Sequence, residues 1–492
     1  MKVSLRKNRI VALVLAIVML SGCGETVVTP ENTIFAEPPK PKSMLEEAEI
    51  MYTKEEMRPG ILVDLIGYIP EGEKVAIVET SIMPNSYDIV DAKTGDVVYT
   101  GEIHITECPE DGEDYTGYAD FTDFTDEGTY YIQAELIGRS ADFKIKKGLY
   151  NDLFEKTIAG LNNLKDTSLD GCYVPLEETP GETLEVSGGW FTGTDKQKDV
   201  CEGCLAMQDL MTANEFFPKA YTDDWGTETS GNKIPDILDE VMFEAGWLFK
   251  MQDTETGGVY TSVSLKQVDL TDEYAMVVVG ETTRATAYFA TTMARLSYII
   301  KKYDAAFSKK CMEAANLAWK CLEANSGLVD ATQMFRAAVE MYRATGYGAY
   351  KTIIDNYLKE NADKDFEERI ALDGAIVYMS STRSTNVSYC TSLMDHYMSR
   401  TEDKSNSAVN SRYLVESGDR DEGVLLRNLV ELIIVDYIIS NKEYGTIEEN
   451  YLHYLCGRNP DSEICSSLKD SPDAYAEFIV LLGKLSLLYK EE

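Results

Sequence analysis

Cys201-Glu202-Gly203-Cys204 is one of the chain's suggestive spacings of reactive side chains. A CxxC can close as a redox disulfide or supply half of a tetrahedral zinc site. Nothing supplies the other half, because the chain has three histidines (His104, His396, His453) and no second CxxC. The alternative is a single helix carrying two small core residues. With Cys23 set aside, the odd number of cysteines scattered over 492 residues argues against a disulfide framework and for buried free thiols. Carboxylates are the other chemical resource. Asp195 stands in a short polar loop; Glu416, Asp419, Asp421 and Glu422 precede an apolar helical run; Asp470, Asp473 and Glu477 lie near the C-terminus. Each also has a plain reading, as a loop charge, a solvated surface charge, or a helix-start charge favoured by the helix dipole. No loop has convincing calcium-ligand spacing, so no metal and no cofactor is assigned.

The N-terminus reads as an export signal over residues 1–22. Lys2, Arg6, Lys7 and Arg9 precede an apolar run from Ile10 to Leu20, which is too short to span a bilayer comfortably. Leu20-Ser21-Gly22-Cys23 resembles a bacterial lipobox, which makes Cys23 the expected lipidation site and the protein a membrane-anchored lipoprotein outside the cytoplasm. Residues 23–58 are rich in Pro, Glu and Lys without periodicity and read as a solvated tether. The formal charge is −38, and removing the basic leader makes it more negative still. Phosphate backbones would be repelled, so nucleic acid is excluded as a partner, while neutral polymers stay open.

The elements that must position these groups fall into two periodicities. From Ile61 to Lys146, short β-rich runs (Ile61–Ile66, Lys74–Thr80, Tyr87–Asp91, Val97–Gly101, Thr129–Leu136, Ala141–Lys146) alternate with turn chemistry such as Lys93-Thr94-Gly95-Asp96. This spacing predicts an immunoglobulin-like β-sandwich over residues 59–147. After Tyr150 the period is helical. Ile234, Ile237, Leu238, Val241, Ala245 and Leu248 share one face, with Pro235 placed to open the helix. Similar stretches recur at Thr286–Tyr303, Ser308–Asn325, Ala331–Thr345, Leu425–Ile439, Thr446–Cys456 and Ala474–Tyr489. Without a constant short repeat, they predict a closed toroid of helix pairs over residues 148–492.

Several junction motifs carry a family resemblance. Ile61-Leu62-Val63-Asp64-Leu65-Ile66-Gly67-Tyr68-Ile69-Pro70 and Gly128-Thr129-Tyr130-Tyr131-Ile132 resemble the opening and closing segments of a cellulase immunoglobulin-like domain. Ser187-Gly188-Gly189-Trp190, Phe216-Phe217-Pro218, Ile234-Pro235-Asp236-Ile237-Leu238-Asp239-Glu240 and Tyr454-Leu455-Cys456-Gly457-Arg458-Asn459-Pro460 follow in the order seen in the family 9 glycoside hydrolases. The resemblance runs with gaps from about residue 60 to 460. It implies an (α/α)6 six-hairpin toroid whose open cleft takes β-1,4-linked glucan, and hydrolysis with inversion.

That reaction uses two carboxyl groups about 6.5–9.5 Å apart, one protonating the leaving oxygen and one activating water on the opposite ring face. Alignment with the family motif after Trp190 puts Asp195 at the base position and Thr192 where a helper Asp stands. Phe191 replaces a substrate-facing His, and Trp190 and Phe191 are the expected substrate contacts, with Trp225 and tyrosines as further platforms. The family's acid segment has no clear counterpart. Its position falls near Asp470, with Asp473 and Glu477 as other stand-ins. Two functions follow: a cell-surface β-glucan hydrolase, or a homologue without turnover that binds β-glucan or another neutral polysaccharide in the same cleft. A structural or adaptor lipoprotein is a third.

Overall fold

The computed structural model describes residues 60–107, 114–168, 171–193, 195–267, 273–364, 369–416, 422–439, 443–464 and 471–488. Cys23, the export signal and the tether lie outside the described residues. Eight strands form the first domain: β1 (Ile61–Leu62), β2 (Val75–Thr80), β3 (Ser86–Asp91), β4 (Val97–Glu107), β5 (Tyr115–Asp120), β6 (Gly128–Ala134), β7 (Gly138–Arg139) and β8 (Phe143–Ile145). They pair antiparallel in the order β1-β2-β5-β4-β3-β6-β7, with β8 on β6. The long strand β4 joins two layers: its first half pairs with β3 and its second half with β5. Alternation puts Tyr87, Ile89 and Ile132 into the core with Tyr68, Phe121 and Phe143, all buried, as a sandwich requires. The β3–β4 turn is tight because Asp91 Oδ1 accepts the amides of Lys93 and Thr94 at 2.8 and 2.9 Å, and Gly95 takes a φ of 78°.

Twelve helices are described beyond Lys147: α1 (Leu149–Asn163), α2 (Val200–Phe216), α3 (Asp236–Leu248), α4 (Thr283–Ile300), α5 (Ala305–Ala324), α6 (Ala331–Thr345), α7 (Gly348–Asn361), α8 (Arg369–Ser380), α9 (Val387–Val409), α10 (Glu422–Ile439), α11 (Glu443–Leu455) and α12 (Pro472–Leu488). The even-numbered helices form an inner ring, with α12 against α2, α2 against α4, α4 against α6, α6 against α8 and α10 against α12. Between α8 and α10 lies a cavity of about 320 Å³ lined by Leu372, Asp373, Ile376, Asn428 and Ile434 among others. The odd-numbered helices pack outside, each joined to an inner neighbour, which is the (α/α)6 toroid. Among the described residues no helix is long and apolar enough to cross a membrane.

The Gly457-Arg458-Asn459 motif fastens the two domains together. Arg458 is wholly buried and donates to the Val75 carbonyl at 3.0 Å and to Asn450 Oδ1 at 2.7 Å. The Leu65 amide donates to the Cys456 carbonyl at 2.9 Å, and His453 Nδ1 lies 2.8 Å from Asp64 Oδ2. Gly457 adopts a φ of 119° against the Leu65 side chain, where a Cβ would stand 2.5 Å from Leu65 Cγ.

Candidate active site at the mouth of the helical ring

The segment that carries Asp195 is held from both sides. Gly188 and Gly189 take positive φ values of 84° and 76°, and a Cβ on Gly189 would stand 2.7 Å from the Trp247 ring. This close approach turns the chain into the core, where the Trp190 amide donates to Glu244 Oε2 at 2.7 Å. Lys198, also buried, donates to the carbonyls of Val186 and Gly188 at 2.7 and 2.6 Å and pairs with Asp166. Between these anchors the Thr192 amide donates to the Gln197 carbonyl at 2.8 Å, closing a small hairpin. Gly193 and Lys196 turn with φ values of 95° and 56°, and Asp195 stands exposed at the tip. Gln197 Oε1 ties the hairpin to a further strand, β9 (Tyr260–Gln267), by accepting the Leu265 amide at 3.0 Å.

The hairpin leads straight into α2. Asp199 caps that helix, its Oδ1 accepting the amides of Cys201 and Glu202 at 2.8 and 3.0 Å. Glu202 is exposed beside it. Its partial enclosure pushes the carboxyl above the usual range, the charges of Asp199 and Asp473 add to that, and the Thr192 side chain, a hydrogen-bonding neighbour, pulls it down. From α4, Arg284 faces Cys201, Tyr288 and Asp199.

Below this rim, Arg369 at the start of α8 gathers carboxylates from two other helices. Its Nη1 lies 3.3 Å from Asp473 and 3.0 Å from Glu477 on α12, and its Nη2 pairs with Asp209 on α2. Oxygens of Asp209, Asp473 and Glu477 all lie within 4.8 Å of one another. Burial pushes Asp209 up to about 7 and Glu477 well above the usual carboxylate range, while Arg369 draws both down.

Several sequence expectations are corrected here. Trp190 presents no face to a sugar: it is wholly buried, so it is part of the core that supports the hairpin. Glu477 is not a solvated surface charge; it is buried and bound to Arg369. Phe191 is half-buried, its ring centroid 5.4 Å from Lys198 Nζ, and Thr192 is half-buried beside it. Trp225 is half-buried and packs edge-on to Phe154 at 5.0 Å. Asp470 lies outside the described residues, as do Asp419 and Asp421. Glu416 accepts from Asn428 at 2.7 Å. Cys201 and Cys204 are buried and unbonded on α2, and burial pushes the Cys201 thiol up to about 12, away from redox chemistry. Away from the mouth, Asp223, Asp236 and Asp239 converge within 4.8 Å. Asp236 accepts the Trp225 amide at 2.8 Å and the Ser230 hydroxyl at 2.9 Å, Asp223 the Gly231 amide at 2.7 Å, and Asp239 the Asn232 side chain at 3.0 Å, folding loop 222–235 onto α3.

Sequence reasoning missed Glu202, Asp209 and Arg369. In the sequence Glu202 stands out only as the interior of the CxxC, just inside the first turn of the helix that follows the Asp195 loop. Asp209 and Arg369 meet across two helices 160 residues apart, a pairing that no local pattern reveals.

A sandwich of antiparallel strands fused to a twelve-helix toroid, with carboxylates around the mouth of the inner ring, defines a six-hairpin glycosidase architecture. The chain belongs to glycosyl hydrolase family 9, whose family profile it matches over residues 153–464, and it matches the cellulase N-terminal ig-like domain over residues 56–139. It is 25% identical over 503 aligned positions to endoglucanase D of Acetivibrio thermocellus, covering 92% of this chain and 75% of that protein. In structure it is similar to a metagenome-derived family 9 endoglucanase, with a TM-score of 0.75 and 22% identity over 87% of this chain and 98% of that one. A thermostable endoglucanase from Alicyclobacillus acidocaldarius aligns with a TM-score of 0.70 and 20% identity over 83% of this chain and 84% of its own.

Proposed function

We propose that this protein hydrolyses β-1,4-linked glucan with inversion, using Asp195 as the general base, and that it works outside the cell, tethered through a lipid on Cys23. The observation that carries the reading is the hairpin closed by Thr192 and Gln197: its anchored ends hold Asp195 exposed just ahead of α2, with no lysine or arginine among the described residues paired to its carboxyl. Family membership and the endoglucanase relatives support β-glucan as the substrate class. Polymeric glucan cannot enter a cell intact, so an anchored cleft fits the export signal read in the sequence.

A second reading is binding without turnover. It is favoured by the capture of Asp473 by Arg369, which ties down a carboxyl at the start of α12, near the position expected for the acid. The test is reducing-sugar release and binding by the purified full chain on a panel of β-glucans, beside Asp195→Asn. Turnover that disappears in Asp195→Asn supports hydrolysis; binding by both forms with turnover by neither supports the second reading. Labelling cells with a fatty acid and comparing Cys23→Ser tests the anchor, since incorporation into both forms would contradict it.

A further inference from the structure

Three successive backbone carbonyls ahead of the Asp195 hairpin are held by side-chain ammonium groups. Lys198 Nζ donates to those of Val186 and Gly188 at 2.7 and 2.6 Å, and Lys250 Nζ, just past α3, donates to the Ser187 carbonyl and hydroxyl oxygens, each at 2.9 Å. The left-handed turn at Gly188 and Gly189 takes this stretch out of any regular ladder, so its carbonyls need such donors. Lys198 places its third donor on Asp166, and its ammonium lies 5.4 and 5.7 Å from the ring centroids of Phe191 and Trp247. The side chain is only 3% exposed. Asp166 is itself locked, its amide donating to the Gly189 carbonyl at 2.8 Å and its Oδ1 accepting the Ser168 amide at 3.0 Å. One ammonium thus bridges the exit of the hairpin, at residue 198, to the turn ahead of its entry, at residues 186–189. Asp195 stands three positions before Lys198.

We propose that Lys198 is a positioning residue for the base: its ammonium fixes the place from which Asp195 meets the attacking water, and so governs the rate of the chemical step and not the affinity for glucan. The proposal rests on the hydrolase reading given above. Burying a charge is costly, and an apolar side chain of similar length would pack beside Phe191 and Trp247 without that cost. What the ammonium adds is geometry, because a single atom sets the positions of three oxygens on two separate segments. Displacement of a reacting group by about 1 Å can cost 10²-fold in rate, which is the scale on which a slackened hairpin would act. Lys198 acts through the hairpin and needs no contact with the sugar.

The full chain, Lys198→Met and Asp166→Asn are compared on cellooligosaccharides and on 2,4-dinitrophenyl cellobioside, the latter with and without sodium azide. Azide attacks the anomeric carbon as an anion while the phenolate leaves, so no proton has to be removed and a chain defective only in its base recovers. Lys198→Met keeps the stem and removes the ammonium; its kcat is expected to fall about 10²-fold with KM changed by less than about twofold. Azide is expected to restore at least about tenfold of that loss on the activated substrate. Asp166→Asn keeps an oxygen for the ammonium, is expected to show the same pattern at smaller size, and carries the test if Lys198→Met does not fold. Parental kcat in a folded variant, a loss expressed in KM, or a loss that azide leaves untouched would overturn the assignment while the hydrolase reading stands. A parent chain with no turnover on either substrate would overturn the hydrolase reading, and the assignment with it.

Discussion

Arg369 Nη1 stands 3.0 Å from Glu477 Oε1, and this ion pair lies under the mouth of the barrel with Asp209 and Asp473 around it. Removing the cation would strand enclosed carboxylates, a change that typically costs about 3–5 kcal/mol. Arg369→Met is therefore expected to destabilise the fold, and more strongly at pH 8 than at pH 5, because the carboxyls it abandons can take up protons in acid. Chemical denaturation at the two pH values checks this; an equal or smaller loss at pH 8 would contradict it.

Glu244 gives a second pH signature with a different origin. It is buried behind the Trp190 amide, and burial pushes its carboxyl up to about 8 from an ordinary value of 4.5. A folded-state value above the unfolded one gives stability that is complete below the unfolded value and is lost as pH rises through the folded value. Glu244→Gln keeps an oxygen for the Trp190 amide and removes the titration. The Tm of the variant relative to the parent is expected to rise between pH 5 and pH 9, and a flat difference would rule the explanation out.

The corrected role of Trp190 separates it from its neighbour Phe191. Truncating a wholly buried tryptophan costs about 3–5 kcal/mol, so Trp190→Ala is expected to lower stability severely. Phe191→Ala, at a half-buried position beside the hairpin, is expected to raise KM for glucan with a much smaller change in Tm. Parallel melting and kinetic measurements would expose the reverse pattern if Trp190 were the sugar contact.

The domain junction makes a prediction independent of catalysis. His453 Nδ1 faces Asp64 Oδ2 at 2.8 Å while Nε2 faces the Glu73 carbonyl at 3.2 Å, all within a buried seam. Asp64→Asn and His453→Ala should each destabilise, and the double variant should lose less than their sum, since the second change strands nothing further. Strict additivity in a denaturation cycle would show that the two residues act separately.

Some of the strands and helices were legible in the sequence, and others were not. The run Ala331–Thr345 coincides with α6 because its apolar residues keep a helical period between the Asp330 cap and Gly346, whose φ is 74°. In α2 nearly every residue from Val200 to Asn214 is buried, so no amphipathic stripe marks it beyond the CxxC. Helix α9 failed for the opposite reason: a polar run rich in Ser and Thr buries Leu393, Tyr397, Thr401, Lys404 and Ala408 at a spacing of three or four that hydropathy alone hides. Strand β5 reads Tyr-Thr-Gly-Tyr-Ala-Asp, too small and polar to announce itself, and takes its place from pairing with β2 and β4. At the mouth, Asp195 and Thr192 were reachable from a motif in continuous sequence. The Arg369 cluster was not, because its members come from α2, α8 and α12 and meet only when the ring closes.

The most direct test of the account is reducing-sugar release from β-1,4-glucan by the full chain and by Asp195→Asn under identical conditions. Measurable release by the parent chain is expected, with a loss of about 10²-fold or more in the variant and glucan binding retained. Release that is unchanged in Asp195→Asn would contradict the assignment of the base and with it the catalytic reading of the hairpin.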